Sequence, residues 1–149
     1  MRILPTVVLT IGILSMSIAQ EKFISPIKSH NNVSRHFGEV RTSGPGVGKR
    51  HSGVDIEAAV GTPVFAASAG KVIQAETVRN YGTVVRIQHA KGIRTLYAHL
   101  SKLAVKKGQT VEQGTVIAYS GTSAQSPAPH LHYEVLVKGR SVDPGAYLH

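Results

Sequence analysis

The stretch His130-Leu131-His132-Tyr133-Glu134-Val135-Leu136-Val137 decides how this chain folds. Its tail is apolar and suited to a pleated, half-buried surface, so His130 is expected to open a strand. Side chains two apart on a strand point to the same face. His130 and His132 therefore stand side by side, with Glu134 following on that face. Two neighbouring imidazoles repel once both are protonated, so such a pair signals a shared metal ion or a shared water rather than an ordinary surface.

Upstream of this strand the chain is a succession of short runs of the same kind. They are Val64-Phe65-Ala66-Ala67, Gly70 to Ala75, Thr83 to His89, Arg94 to His99 and Thr115 to Tyr119. Turn signals separate them: Gly61-Thr62-Pro63, Asn80-Tyr81-Gly82, Lys91-Gly92, Lys107-Gly108-Gln109 and Gln113-Gly114. Short strands at such spacing predict an all-β domain, a compact antiparallel sandwich or barrel. No segment carries a sustained helical stripe, and Leu100 to Val105 is expected to form one short turn. Val60-Gly61-Thr62-Pro63-Val64 echoes Glu112-Gln113-Gly114-Thr115-Val116, each placing Gly-Thr before an apolar start. Arg41 to Gly53, rich in Gly, Ser and Lys, reads as a mobile loop bordering the histidines.

With 149 residues the chain holds one domain of useful core size. Residues 1–19 read as a cleaved signal peptide. Arg2 is a minimal positive start, an apolar run follows, and Ser17-Ile18-Ala19 offers small residues for processing. The run is short for a membrane span and is broken by Pro5 and Gly12, so no stable membrane insertion is expected after cleavage. Residues 20–33 then form an N-terminal arm and 34–149 the functional domain. There is no cysteine, which excludes both a disulfide scaffold and lipoprotein processing. An exported protein of this kind belongs to a bacterial envelope, in the periplasm or at the cell wall outside the cell. Seventeen basic residues face eight acidic ones, a formal charge of +9, which suits an anionic polymer. The basic residues are scattered, with no basic helix and no interleaved aromatic patch, so nucleic acid is not an expected partner.

His51-Ser52-Gly53-Val54-Asp55 adds an imidazole and a carboxylate four residues apart. Gly53 and the β-branched Val54 argue against a helix there, and in extended chain this spacing also keeps both side chains on one face. Imidazole and carboxylate suit zinc, which takes four ligands of nitrogen, sulfur or oxygen type. His51, Asp55 and His132 as three protein ligands leave a fourth position open, the layout of a catalytic rather than a structural site. His99 and His130 would stand beside the metal unligated. Either can move a proton and either can stabilise an oxyanion, and the pattern fits both assignments. His30, His36, His89 and His149 lie in polar contexts or at the terminus and are expected to be ordinary residues. Glu134 reads equally as a hydrogen-bond partner of the site or as a charged strand residue.

Taken together, these residues resemble the lysostaphin/LytM-type zinc metalloendopeptidases. The resemblance runs through Ser34-Arg35-His36-Phe37-Gly38-Glu39-Val40-Arg41, His51-Ser52-Gly53-Val54-Asp55-Ile56 and Gly61 to Val72. It continues through Tyr81 to His89, Thr95-Leu96-Tyr97-Ala98-His99-Leu100, Lys107 to Val111 and His130-Leu131-His132-Tyr133-Glu134, ending at Val142-Asp143-Pro144. It implies metal ligands at His51, Asp55 and His132 and catalytic histidines at His99 and His130. It further implies a Zn2+ cofactor, a site in a groove, and hydrolysis of peptide cross-links of bacterial peptidoglycan by a monomer. Pro127 and Pro129 stand where the family usually has a glycine, which stiffens that wall of the groove. The competing function is a non-enzymatic envelope module that binds wall peptides or activates another wall hydrolase. Biotin- or lipoyl-carrier domains share the glycine-punctuated strands but have no need of this histidine set.

Overall fold

A computed structural model describes residues 22–28, 32–124 and 126–148. The expected signal peptide, His30 and His149 lie outside the described residues. Among the described residues ten strands form one sheet: β1 (Val33–Arg35), β2 (Val54–Glu57), β3 (Pro63–Phe65), β4 (Gly70–Val78) and β5 (Gly82–Gln88), then β6 (Ile93–Leu103), β7 (Thr110–Val111), β8 (Val116–Ser123), β9 (Ser126–Val137) and β10 (Arg140–Val142). The order is β1-β2-β9-β8-β6-β5-β4-β7, with β10 beside β9, β3 beside β8, and β6 also paired to β9. Every pairing is antiparallel. Among the described residues no helix is long and apolar enough to cross a membrane.

β9 shows how the alternation works. Leu131, Tyr133 and Val135 are fully buried in the main core, with Val85, Ile87 and Tyr97 of the neighbouring strands. His130, His132 and Glu134 point the other way and are also buried. One face of the strand is therefore apolar core and the other is polar site. A smaller apolar cluster of Val84, Leu96 and Ala98, edged by Tyr81 and Leu136, flanks the polar face.

β6 carries the largest departure from the sequence reading. Its first half pairs with β9, from Ile93 opposite Val137 to Ala98 opposite His132. At His99 the backbone enters the left-handed region (φ 60°), and His99 N–H donates to Tyr81 O at 3.0 Å. From Leu100 the strand pairs with β8, Leu100 opposite Ser120 and Leu103 opposite Ala118. The short turn expected at Leu100 to Val105 is thus strand as far as Leu103. The bulge at His99 turns the chain instead, handing its hydrogen bonds from one neighbour to another.

The two echoing Gly-Thr segments become structural neighbours. Thr62 N–H donates to Ala59 O and Thr115 N–H to Glu112 O, closing equivalent turns, and the strands that follow, β3 and β8, pair with each other. The N-terminal arm joins the main core through Phe23 and Ile27, both completely covered. Ile24 N–H donates to Ala67 O and Phe65 N–H to Pro26 O, which fixes the arm along β3.

Candidate metal centre

Strand register builds the centre. Asp55 on β2 lies directly opposite His132 on β9, so the two side chains share a face as a cross-strand pair. His51 arrives from the loop before β2, whose Gly53 lies so close to β9 that a Cβ would run into the carbonyl oxygen of Tyr133. Only glycine fits between these strands, and the fit brings His51 over Asp55. His130 faces Glu57 across β2 and Gly121 across β8. His99 stands beside it, with ring centres 5.0 Å apart.

The donor atoms converge. His51 Nε2 lies 3.1 Å from Asp55 Oδ1 and 3.1 Å from His132 Nδ1, and the latter two are 2.8 Å apart. Ligand atoms around a four-coordinate ion with bonds of about 2 Å stand roughly 3.3 Å from one another, close to this triangle. The tautomers agree with that reading. His51 Nδ1 faces the carbonyl oxygen of His36 at 3.1 Å, which only accepts, so Nδ1 carries the proton and Nε2 offers a lone pair. His132 Nε2 donates to Glu134 Oε1 at 2.9 Å, which turns the Nδ1 lone pair toward Asp55. Two imidazole lone pairs and a carboxylate oxygen thus meet at one buried point, an arrangement that repels itself unless a cation or a proton sits among them. These residues fit a metal ion.

Glu134 is the junction behind His132. Its Oε1 accepts from His132, from Tyr81 OH at 3.0 Å and from Ser52 Oγ. Burial opposes its charge, but the hydrogen bonds from His132 and Ser52 hold its pKa below the usual carboxylate value. Sequence reasoning singled out Glu134 but neither Ser52 nor Tyr81. Tyr81 read only as part of a turn, and nothing local in the sequence aims its hydroxyl at β9.

Electrostatics separate the imidazoles. For His132, burial disfavours the cation, yet Asp55 and Glu134 together raise its pKa to about 9 in the metal-free centre. For Asp55, burial is outweighed by hydrogen bonds from His132 and His51, and its pKa falls far below the usual range. Burial first, then the nearby His132 and His130, lower His99 to about 4, so His99 is neutral at pH 7. His130 Nδ1 donates to Ala128 O at 2.9 Å, and its Nε2 lies 3.9 Å from Asp55 Oδ1. Arg35 reaches the other oxygen of Asp55 at 3.7 Å.

Of the remaining histidines, His36 contributes only its carbonyl. His89 is buried on the core side, where Nδ1 donates to Ala69 O and Nε2 meets Thr95 Oγ1. The centre lies in a groove of about 580 Å3, and the segment read from sequence as a mobile loop forms part of its rim. The loop's backbone is tied by a Val40–Arg50 bridge and by the bonds Arg41 N–H to Lys49 O and Gly48 N–H to Arg41 O.

Residues 49–144 match the family model described as Peptidase family M23. The chain is 40% identical over 121 residues to the peptidoglycan DD-endopeptidase ShyA of Vibrio cholerae, covering 79% of this chain and 28% of that protein. It thus spans about a quarter of the length of the curated relatives that it matches first. A crystal structure described as a zinc-containing peptidase from Vibrio cholerae superposes with a TM-score of 0.74 at 35% identity, covering 83% of this chain and 39% of the other. The catalytic domain of the antimicrobial peptidase lysostaphin from Staphylococcus simulans gives 0.70 at 33% identity, covering 78% and 90%.

Proposed function

The chain belongs to peptidase family M23, and from that premise we propose that it is an exported zinc metalloendopeptidase hydrolysing peptide cross-links of bacterial peptidoglycan. The observation that carries the reading is the meeting of three electron-pair donors, His51 Nε2, Asp55 Oδ1 and His132 Nδ1, at one buried point. His51, Asp55 and His132 would hold Zn2+, the usual ion for a cysteine-free set of two imidazoles and a carboxylate with a position left open. When bound, the ion supplies Lewis acidity toward the scissile carbonyl and makes water acidic enough to attack near neutral pH.

The residues of the chain do the rest. His99, held neutral, takes a proton from the attacking water and returns it to the departing amine. His130, its Nδ1 tied to Ala128 O, presents Nε2 to the centre, where the doubly protonated ring would donate to the developing oxyanion. Glu134 keeps Nε2 of His132 protonated and so commits Nδ1 to the metal. The groove orients an extended peptide across these groups. A module that only binds wall peptides has no need of two further imidazoles facing a complete donor set.

The test uses purified protein and isolated sacculi. Zinc-loaded protein should release new amino termini, chelation should stop the release, and added zinc should restore it. His132→Ala should lose bound zinc and hydrolysis together. Hydrolysis that persists in metal-free protein would overturn the proposal.

A further inference from the structure

The rim of the groove formed by residues 40–50 holds two cations together. Gly46 sits at φ +86°, and a Cβ there would lie 3.7 Å from Arg41 Cδ and 3.9 Å from Lys49 Cδ. Both side-chain stems therefore pack over one glycine, which brings two positive heads to the same part of the groove wall. The loop beneath them is closed by backbone hydrogen bonds, among them Lys49 N–H to Gly46 O at 3.0 Å. The other two guanidinium groups of the groove are engaged, Arg50 with Gly38 O at 3.2 Å and Arg35 with Asp55 at 3.7 Å. Among the described residues the side chains of Arg41 and Lys49 have no hydrogen-bond or ion-pair partner. The carboxylates lining the groove, Asp55 and Glu57, pair with neither. Residues Asn80, Tyr81, Ala128 and Pro129, which also line it, carry no charge. Like charges held together without an anion leave an electrostatic demand that a ligand can meet.

We infer that Arg41 and Lys49 form a carboxylate subsite, which seats a carboxylate of the substrate peptide near the bond to be cut. The inference rests on the proposed peptidase function and adds to it a class of substrate: stem peptides that carry a free carboxylate next to the scissile bond. A guanidinium grips a carboxylate through two parallel hydrogen bonds, and an ammonium beside it adds a point charge. A phosphate offers the same anionic chemistry. The peptide is favoured because the pair lines the same groove as His99 and His130, so one extended chain can reach both.

Two cross-linked stem-peptide dimers decide the matter, identical except that one has the carboxylate beside the scissile bond converted to its amide. Zinc-loaded protein should show kcat/KM about tenfold higher for the free acid, the size expected of a charge-assisted contact at a partly exposed site. The preference should reside in KM and shrink with added salt. In Arg41→Gln and Lys49→Gln it should fall toward unity, and in Arg41→Lys, which keeps the charge but loses the paired hydrogen bonds, it should fall only part of the way. Lys107→Gln, which removes an equal charge elsewhere, should keep it. Equal rates for acid and amide in the wild-type protein would overturn the subsite, and so would a preference that persists in the Arg41→Gln/Lys49→Gln double variant. If neither dimer is cut, the peptidase reading fails and calorimetry still tests the subsite. The wild-type protein should bind the acid peptide more tightly than the amide, and the double variant should not discriminate. Tighter binding of inorganic phosphate than of the acid peptide would assign the pair to a wall phosphate and overturn the inference.

Discussion

Three donors meet on Glu134 Oε1, and the consequence lies one bond away, at His132. A carboxylate that accepts the outer N–H of a ligating imidazole typically changes metal affinity by 10–100-fold. Glu134→Gln should weaken zinc retention by about that factor in chelator competition, while part of the hydrolysis returns at saturating zinc. Unchanged affinity would show that Glu134 does not act through His132. The bulge residue calls for a different replacement. Because His99 has φ 60°, alanine there adds backbone strain to the loss of the imidazole, whereas asparagine tolerates the left-handed region. His99→Asn should keep stoichiometric zinc and lose about 10²–10⁴ in kcat, the range for one general base. Loss of metal in this variant would make His99 a ligand instead. At this scale the face shared by His130, His132 and Glu134 was legible, because strand geometry fixes it. Ser52 and Tyr81 were not, because their approach to Glu134 depends on long-range pairing that no local pattern encodes.

Elements were legible where the apolar pattern is uninterrupted and obscure where it bends. β4, β5, β6, β8 and β9 follow runs visible in the sequence, but β1, β7 and β10 are two or three residues long and pair along the edges of longer strands. β6 was cut short in the sequence reading because Ser101 and Lys102 interrupt its apolar run, and left-handed backbone at a histidine leaves no sequence signal. The loop of residues 41–53 looked mobile because its glycines and serines are those of any flexible segment. Its hydrogen-bonded closure depends on pairing between Val40 and Arg50. The entry into β2 gives a sharp test of element packing. Gly53→Ala would force a methyl group against the backbone of β9, which cannot yield as a side-chain tip can. We expect a loss of about 3 kcal/mol or more, with zinc affinity falling alongside. Gly48→Ala, at φ +82° with open space around it, should cost only about 1 kcal/mol from backbone strain and leave the centre intact. Denaturant melts of both variants check the contrast, and equal costs would refute it.

For the molecule as a whole, metal and proton compete for one place. The folded pKa of His132, about 9 in the metal-free protein, lies above its ordinary value near 6.5. A raised pKa means that the stabilisation is complete below pH 6.5 and is lost as the pH climbs toward 9. The melting temperature in chelator should therefore fall across that window. With zinc the trend should vanish or reverse, because the cation takes the place of the proton and binds better as the proton leaves. A chelated protein whose melting temperature is flat or rising from pH 6.5 to 9 would contradict this. The all-β architecture was legible from composition and turn spacing alone. The role of the first described residues was not, because Phe23 and Ile27 sit in a polar context with no periodicity.

That arm determines where the protein can be shortened or joined to something else. Phe23 and Ile27 plug the core, and Phe23 meets the rings of His89 and Tyr147 edge to face. A trimmed version starting at residue 34, where the recognisable motifs begin, would bare two greasy holes and tend to clump, although every residue of the metal centre would still be present. A tag or fused partner is better attached ahead of Lys22, and an engineer who respects that limit can exchange what precedes it and keep the plug in place.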